Sequence, residues 1–489
     1  MSEFLLHYHK VHPTTWVYLS SLLIIGLFFK FNRVWSVRNL DLGLLILLAP
    51  GLLLVHFGAE RQTEALHEWR FEQAQAAAEP PPADPDVGAA AEPEPSPAEL
   101  KYAAARSIVL RGYLMLLFVS ALWLTRLLLD PAMVRRPLLE PNLSTGGLTF
   151  ICCASFVFLM ANVINSQPTR DDLQGPRRAE AMIERRTVDP QDDSLRRYGP
   201  GYAWLNLLPS LPTMTFYDIE RSSAPEEKTS AYAVTAKTMA ILSHLAVVMG
   251  IVMIGYRHFD NLRMGIGAAT LYLIMPYTAQ MTGRVEHVLP AALLVWAVLC
   301  YRRPLTAGIF LGLSMATVYY PFFLLPLWIS FYWQRGLMRF VLGVAAMLVL
   351  MVVPLAFTSD SLEVFFSQVR QMFGLWVPAL EGLEGVWGLA WDPIYRWPVL
   401  AAFVALSISF AIWPPRKNLG TLMSCSGALM VATQFWHGYG GGLYIAWYLP
   451  LALLTVFRPN LEDRIALAVL GEGWLPRRRQ IDTPRERAA

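Results

Sequence analysis

Residues 304–333 read PLTAGIFLGLSMATVYYPFFLLPLWISFYW, with Tyr319-Tyr320-Pro321 near the middle. Composition alone allows one long membrane helix here or two short ones. Proline decides between them, because Pro321 has no amide hydrogen to donate and biases Tyr320 away from helical dihedrals. The stretch therefore predicts two short helices broken around 319–321. Eleven further apolar stretches flank this pair, near 14–30, 42–57, 107–129, 147–163, 233–255, 264–281, 287–301, 337–357, 397–413, 419–436 and 442–457. Roughly 20 apolar residues carry a helix across a bilayer. The chain thus reads as an all-α, polytopic membrane bundle of 12–13 spans, with interfacial helices in its outer loops.

Composition agrees. Of 489 residues, 55% are hydrophobic and 16% charged, and the mean hydropathy is +0.39, too apolar for an ordinary soluble protein. A net charge of +3 is too small to imply a nucleic-acid partner. Cys152, Cys153, Cys300 and Cys425 all fall within apolar stretches, so they read as packing residues, with no disulfide framework or metal-ligand spacing.

Short cytoplasmic loops are enriched in Lys and Arg. Such residues recur at every second loop: Lys30, Arg33 and Arg38; Arg126, Arg135 and Arg136; Arg257 and Arg263; Arg302 and Arg303; Arg335 and Arg339; Arg416 and Lys417. The tail adds Arg477, Arg478 and Arg479. The alternate loops carry only Arg284 at 281–286, and no cation around 319–321 or in Trp436-His437-Gly438-Tyr439. Thirteen spans with an external N-terminus and a cytoplasmic C-terminus fit this alternation, whereas fusing 304–333 into one span would invert everything after it. The first apolar stretch lacks a small-residue cleavage site and reads as an anchor.

Four regions follow. Residues 1–57 form an N-terminal two-helix membrane addition, and 58–106 a disordered outer Pro/Ala/Glu-rich linker, its middle, 76–98, being unable to bury enough apolar surface to offset ordering. Residues 107–457 form the membrane core, with large outer loops at 164–232 and 358–396, and 458–489 a basic cytoplasmic tail. The first loop opens on Arg170-Asp171-Asp172, has helical spacing over 177–186, and is apolar enough over 201–211 to lie on a membrane surface. In the second, Ser359-Asp360-Ser361 starts a helix whose apolar residues include Val364, Phe365 and Phe366. Trp376, Trp387, Trp391 and Trp397 follow in the pattern of an aromatic belt.

Ionisable residues in or beside spans cost roughly 2.5–3.5 kcal/mol at mid-bilayer and so usually face a polar cavity or a partner. Asp171, Asp172, Lys237, Arg284, Glu286, His287, Asp392, Arg396 and His437 all fall at outer ends in the topology above. Asp171 and Asp172 could act as a general base or bind a cation, or could simply cap a helix. Lys237 and Arg284 could instead extend to the interface. Acids and bases gathered on one side point to a single site.

The run Arg303-Pro304-Leu305-Thr306-Ala307-Gly308-Ile309-Phe310-Leu311-Gly312-Leu313-Ser314, with Val318-Tyr319-Tyr320-Pro321 after it, resembles the membrane core of GT-C superfamily glycosyltransferases. The nearest branch is the alpha-mannosyltransferase-like one. Tyr198-Gly199-Pro200-Gly201-Tyr202 is similar to a segment in that family's first large outer loop, and Trp436-His437 through Tyr444 to Pro450 adds to the likeness, which spans roughly 147–457. Val318 stands where close relatives often carry Lys. The resemblance implies a sugar, mannose being one candidate, transferred with inversion from a polyprenyl-phosphate donor to a glycan, lipid or protein acceptor. It also implies that Asp171 or Asp172 is the base. Lys237, Arg284, His287 and Arg396 would hold the lipid phosphate, with Glu286, Tyr319, Tyr320, Asp392 and His437 as further site candidates. No cofactor is specified, although paired carboxylates are compatible with a divalent cation. The alternatives are a catalytically degenerate scaffold or a lipid or solute transporter, and no inverted repeat supports transport. The bacterial inner membrane is the expected location.

Overall fold

Caps and prolines set the boundaries of the helices. The computed structural model describes residues 11–78, 96–133, 138–183, 197–216, 225–359, 361–375, 378, 380–415 and 417–459. Among these it is all-helical, with no strand. The first four helices are α1 Pro13–Phe28, α2 Val37–Ala78, α3 Pro97–Leu129 and α4 Thr145–Asn165. Then come α5 Gln174–Ile183, α6 Pro200–Phe216, α7 Pro225–Arg257, α8 Leu262–Ile274, α9 Pro276–Gln280 and α10 Val285–Leu299. The remainder are α11 Pro304–Thr317, α12 Leu325–Tyr332, α13 Leu337–Thr358, α14 Leu362–Met372, α15 Val386–Leu389, α16 Arg396–Ile412, α17 Leu419–Trp436 and α18 Leu449–Phe457. Side chains close exposed amides at several N-termini, as Ser96 does on Glu99, Ser144 on Gly147 and Ser361 on Val364. Asn418 and Thr421 form a reciprocal capping box on α17.

Each apolar stretch identified in the sequence contains a helix. Six segments among the described residues are long and apolar enough to cross a membrane: Val37–Ala74, Pro97–Ala132, Thr145–Asn165, Ser230–Arg257, Leu337–Phe357 and Pro393–Ile412. The molecule is therefore a helical, membrane-type bundle. The chain breaks where Pro321 requires: α11 ends at Thr317, Tyr320–Leu324 form a 3₁₀ turn, and α12 begins at Leu325.

The glycines of the 303–314 run have a packing role. A Cβ on Gly308 would lie 2.2 Å from the Phe340 carbonyl oxygen, and one on Gly312 would lie 2.9 Å from that of Val344. This small-xxx-small spacing lets α11 and α13 meet backbone to backbone, as membrane helices do. Shorter helices fill the centre, with every residue of α18 and all but Phe435 of α17 buried.

One expectation needs correction. The segment 58–106 is not wholly an irregular linker, because α2 runs unbroken for 42 residues to Ala78 and α3 starts at Pro97. Residues 58–78 are rich in Ala, Glu and Gln, good helix formers, and α3 lies alongside them. Lys101 pairs with Glu68 at 2.8 Å, Gln62 donates to the Tyr102 hydroxyl at 3.1 Å, and Trp69 stacks on Tyr102. The Pro-rich 79–95, the cations Arg135, Arg136 and Arg416, Asp360, Trp376 and 460–489 lie outside the described residues.

The basic loops converge at one end of the bundle. Arg257 lies near Arg302 and Arg303, and Arg263 donates to the Pro141 and Leu143 carbonyls. A buried ionic set lies at the same end: Arg126 binds Asp41 at 2.6 Å and Asp130 at 3.1 Å, and Arg458 binds Asp130 at 2.6 Å. Arg38 completes it, 3.7 Å from Asp41. All four cysteines are free.

Candidate functional site

The opposite end of the bundle holds the acids and bases singled out in the sequence. After α4 the chain turns through Thr169 to Leu173, fixed by Asp172, whose Oδ2 accepts from the Thr169 amide at 2.8 Å and its hydroxyl at 2.7 Å. That turn leaves the Asp171 side chain 39% exposed and the Asp172 side chain 7% exposed. Asp171 is thus the more open of the two carboxylates. Arg284 approaches from the loop between α9 and α10. Its Nη1 lies 3.3 Å from Asp171 Oδ2, 3.8 Å from Asp172 Oδ1 and 3.3 Å from Glu286 Oε1. Glu286 sits in the first turn of α10, where a carboxylate suits the positive end of the helix dipole.

These charges shift one another. Burial pushes the Asp172 carboxyl above its usual range, with Arg284 opposing. Burial works against the Arg284 guanidinium, but Glu286, Asp172 and Asp171 outweigh it and hold its pKa above the ordinary value. Burial, reinforced by Glu286, raises the Tyr198 and Tyr202 phenols.

The tyrosines belong to Tyr198-Gly199-Pro200-Gly201-Tyr202, whose two glycines allow close docking on α11. The Gly199 amide donates to the Thr317 carbonyl at 2.8 Å, and a Cβ at Gly199 would fall 2.2 Å from the Ala316 carbonyl oxygen. With the backbone seated there, Tyr198 and Tyr202 stack at 4.5 Å. Arg197, just before them, pairs with Glu384 of the second large loop and lies 4.5 Å over the Tyr439 ring. Glu384 outweighs burial and raises the Arg197 pKa.

His287 joins this region to an aromatic wall. Its Nδ1 is 2.6 Å from the Tyr277 hydroxyl, and its ring stacks on Tyr444 at 4.3 Å. Tyr444 also packs on His437 at 4.4 Å and on Trp447 at 4.5 Å, and the Trp447 indole donates to the Glu286 carbonyl at 3.1 Å. Burial, then Arg396 and Arg197, push His437 down to about 3. Beyond Tyr439 opens a cavity of about 1200 Å³ whose lining includes Tyr319, Tyr320, Arg370, Arg396, Trp436 and Tyr439. Arg396 reaches its wall while donating to the Trp436 carbonyl at 3.1 and 3.2 Å, at the C-terminus of α17.

The structure therefore brings Asp171, Asp172, Arg284, Glu286 and His287 into one cluster. It places Tyr319, Tyr320, Arg396 and His437 in or beside the aromatic cavity. Two candidates stand elsewhere. Lys237 donates to the Ile164 carbonyl at 2.7 Å, and Asp392 caps the turn at Pro393–Tyr395 by accepting from the Ile394 amide at 2.9 Å. Tyr277 and Glu384 carry no local signal, because long-range packing alone gathers them here. Arg197 could have been marked as the cation beside the docking motif. No group of three or more His, Cys, Asp or Glu side chains among the described residues is arranged to hold a metal ion. No protein-family model and no curated protein matches the chain.

Proposed function

We propose that the protein is a membrane glycosyltransferase of GT-C type, in which the shorter helices complete a bundle of 12–13 spans and the acidic cluster faces the outer side. It transfers a sugar from a polyprenyl-phosphate donor to an acceptor hydroxyl, with inversion. The observation that carries this reading is a half-open carboxylate, Asp171, linked through Arg284 and the stacked His287, Tyr444 and His437 to an aromatic cavity of about 1200 Å³ that has Arg370 and Arg396 on its lining. Aromatic walls suit an isoprenoid chain and a sugar face, and guanidinium groups suit a phosphate.

In this reading Asp171 accepts the proton of the acceptor hydroxyl, and the oxygen attacks the anomeric carbon as the bond to the phosphate oxygen breaks. The polyprenyl phosphate departs with the electron pair, stabilised by Arg396 and Arg370, and such electrostatic help is commonly a large catalytic contribution. Asp172 holds the turn that presents Asp171. Lys237 and Asp392, engaged elsewhere, have no part. The test offers radiolabelled polyprenyl-phosphate sugars to purified protein in lipid nanodiscs. Transfer that is lost in Asp171→Asn supports the reading. No transfer from any donor by well-folded protein overturns it in favour of a non-catalytic scaffold.

A further inference from the structure

The acidic cluster contains more carboxyl groups than its cation can pair. Asp171, Asp172 and Glu286 surround the single guanidinium of Arg284; on α5, Arg178 acts on Tyr202 and Glu180 accepts from the Tyr232 hydroxyl. Three acceptor atoms there are buried without a hydrogen-bond partner among the described residues: Glu286 Oε2, Asp172 Oδ1 and Tyr202 Oη. Glu286 is 3% exposed and Tyr202 fully buried, and Tyr202 feels the charges of both carboxylates. Buried acceptors left unpaired are costly, so their grouping calls for a donor. A metal ion does not suit the place, since Arg284 already stands among the carboxylates and the set is not arranged as metal ligands.

A primary ammonium does suit it, offering one positive charge and three N–H donors and accepting none. We propose that Glu286, Asp172 and Tyr202 recognise an ammonium group on the acceptor, which makes the acceptor an amino alcohol such as an aminosugar or an ethanolamine-type headgroup. Its hydroxyl then falls to Asp171, on the exposed side of the same turn. The assignment of this amine to an acceptor rests on the transferase reading above. Binding of the amine does not.

The test uses the full chain in nanodiscs, with thermal unfolding and calorimetry read against glucosamine, N-acetylglucosamine, ethanolamine and magnesium chloride. Stabilisation by the two amines and none by the acetylated sugar is expected. Glu286→Gln should weaken amine binding about tenfold or more, and Tyr202→Phe, which preserves the packed ring, should weaken it several-fold. An equal response to glucosamine and its acetylated form, a response to magnesium alone, or no response to any of the four overturns the proposal. Amine binding without sugar transfer from any donor would overturn the transferase reading and leave the ammonium site standing.

Discussion

Arg284 Nη1 lies 3.3 Å from Asp171 Oδ2, joining loops that are 113 positions apart in the chain. That contact fixes the carboxylate proposed as base against α10. It also means that the base and its neighbours share one positive charge.

Replacing that charge should therefore destabilise the fold as well as stop transfer. Arg284→Gln leaves the buried Asp172 and Glu286 beside the half-exposed Asp171 without their cation; a fully buried set would lose about 3 kcal/mol, and solvent at Asp171 makes the loss here smaller. Thermal unfolding in detergent should show a lowered midpoint. Adding Glu286→Gln should restore part of it, since removing a carboxylate relieves the repulsion.

Asp171 and Asp172 should differ in kinetics. Asp171→Asn should lower kcat by about a thousandfold or more with little change in donor KM, as expected for loss of a general base. Asp172→Asn retains an oxygen for the Thr169 donors and should have a smaller effect on kcat. Single-turnover assays with a saturating donor separate the two. Equal losses would remove the distinction between base and positioning residue.

Arg396→Lys should raise the donor KM about tenfold, because an ammonium cannot reproduce the planar fork that meets both the Trp436 carbonyl and a phosphate. Arg370→Ala, at the exposed rim of the same cavity, should have a weaker effect in the same direction. Steady-state kinetics with varied donor checks both.

The docking of Tyr198–Tyr202 gives a sharper steric test. Gly199→Ala meets the Ala316 carbonyl oxygen and has no side-chain remedy. Gly201→Ala meets the Ala316 Cβ at 2.8 Å, so Ala316→Gly should rescue it in part. Thermal midpoints of the three variants and the double variant decide the matter.

His437 predicts a pH dependence of stability. Its folded pKa of about 3 lies below the ordinary 6.5, so the unfolded chain binds the additional proton between those values. Its contribution is intact above pH 6.5 and declines by up to about 1.4 kcal/mol per pH unit as pH falls toward 3. His437→Phe should flatten the acid limb of the unfolding midpoint measured from pH 7 to pH 5.

The fold was largely legible because hydropathy and proline act locally. The break at Tyr319–Pro321 needed only the missing amide of Pro321, and the start of α14 only the Ser361 side chain. The long α2 was misjudged at its end, since proline-rich composition downstream hid the helix formers of 58–78 and their pairing with α3. At the site, Arg284 and Glu286 stood out as charges at the mouth of an apolar helix. Lys237 stood out for the same reason yet satisfies itself on the Ile164 carbonyl, a contact set by how α4 and α7 pack. Tyr277 was invisible for the converse reason. A tyrosine in an apolar run looks the same whether it faces lipid or a histidine.

The 2.6 Å bond between Arg458 and Asp130 spans 328 positions, and it has a consequence for biogenesis. Asp130 is synthesised early, whereas the Arg458 guanidinium that completes its environment follows the last helix described. Assembly of this end must therefore wait for the ribosome to deliver residue 458, which makes a nascent chain halted before that point a natural target for membrane quality control.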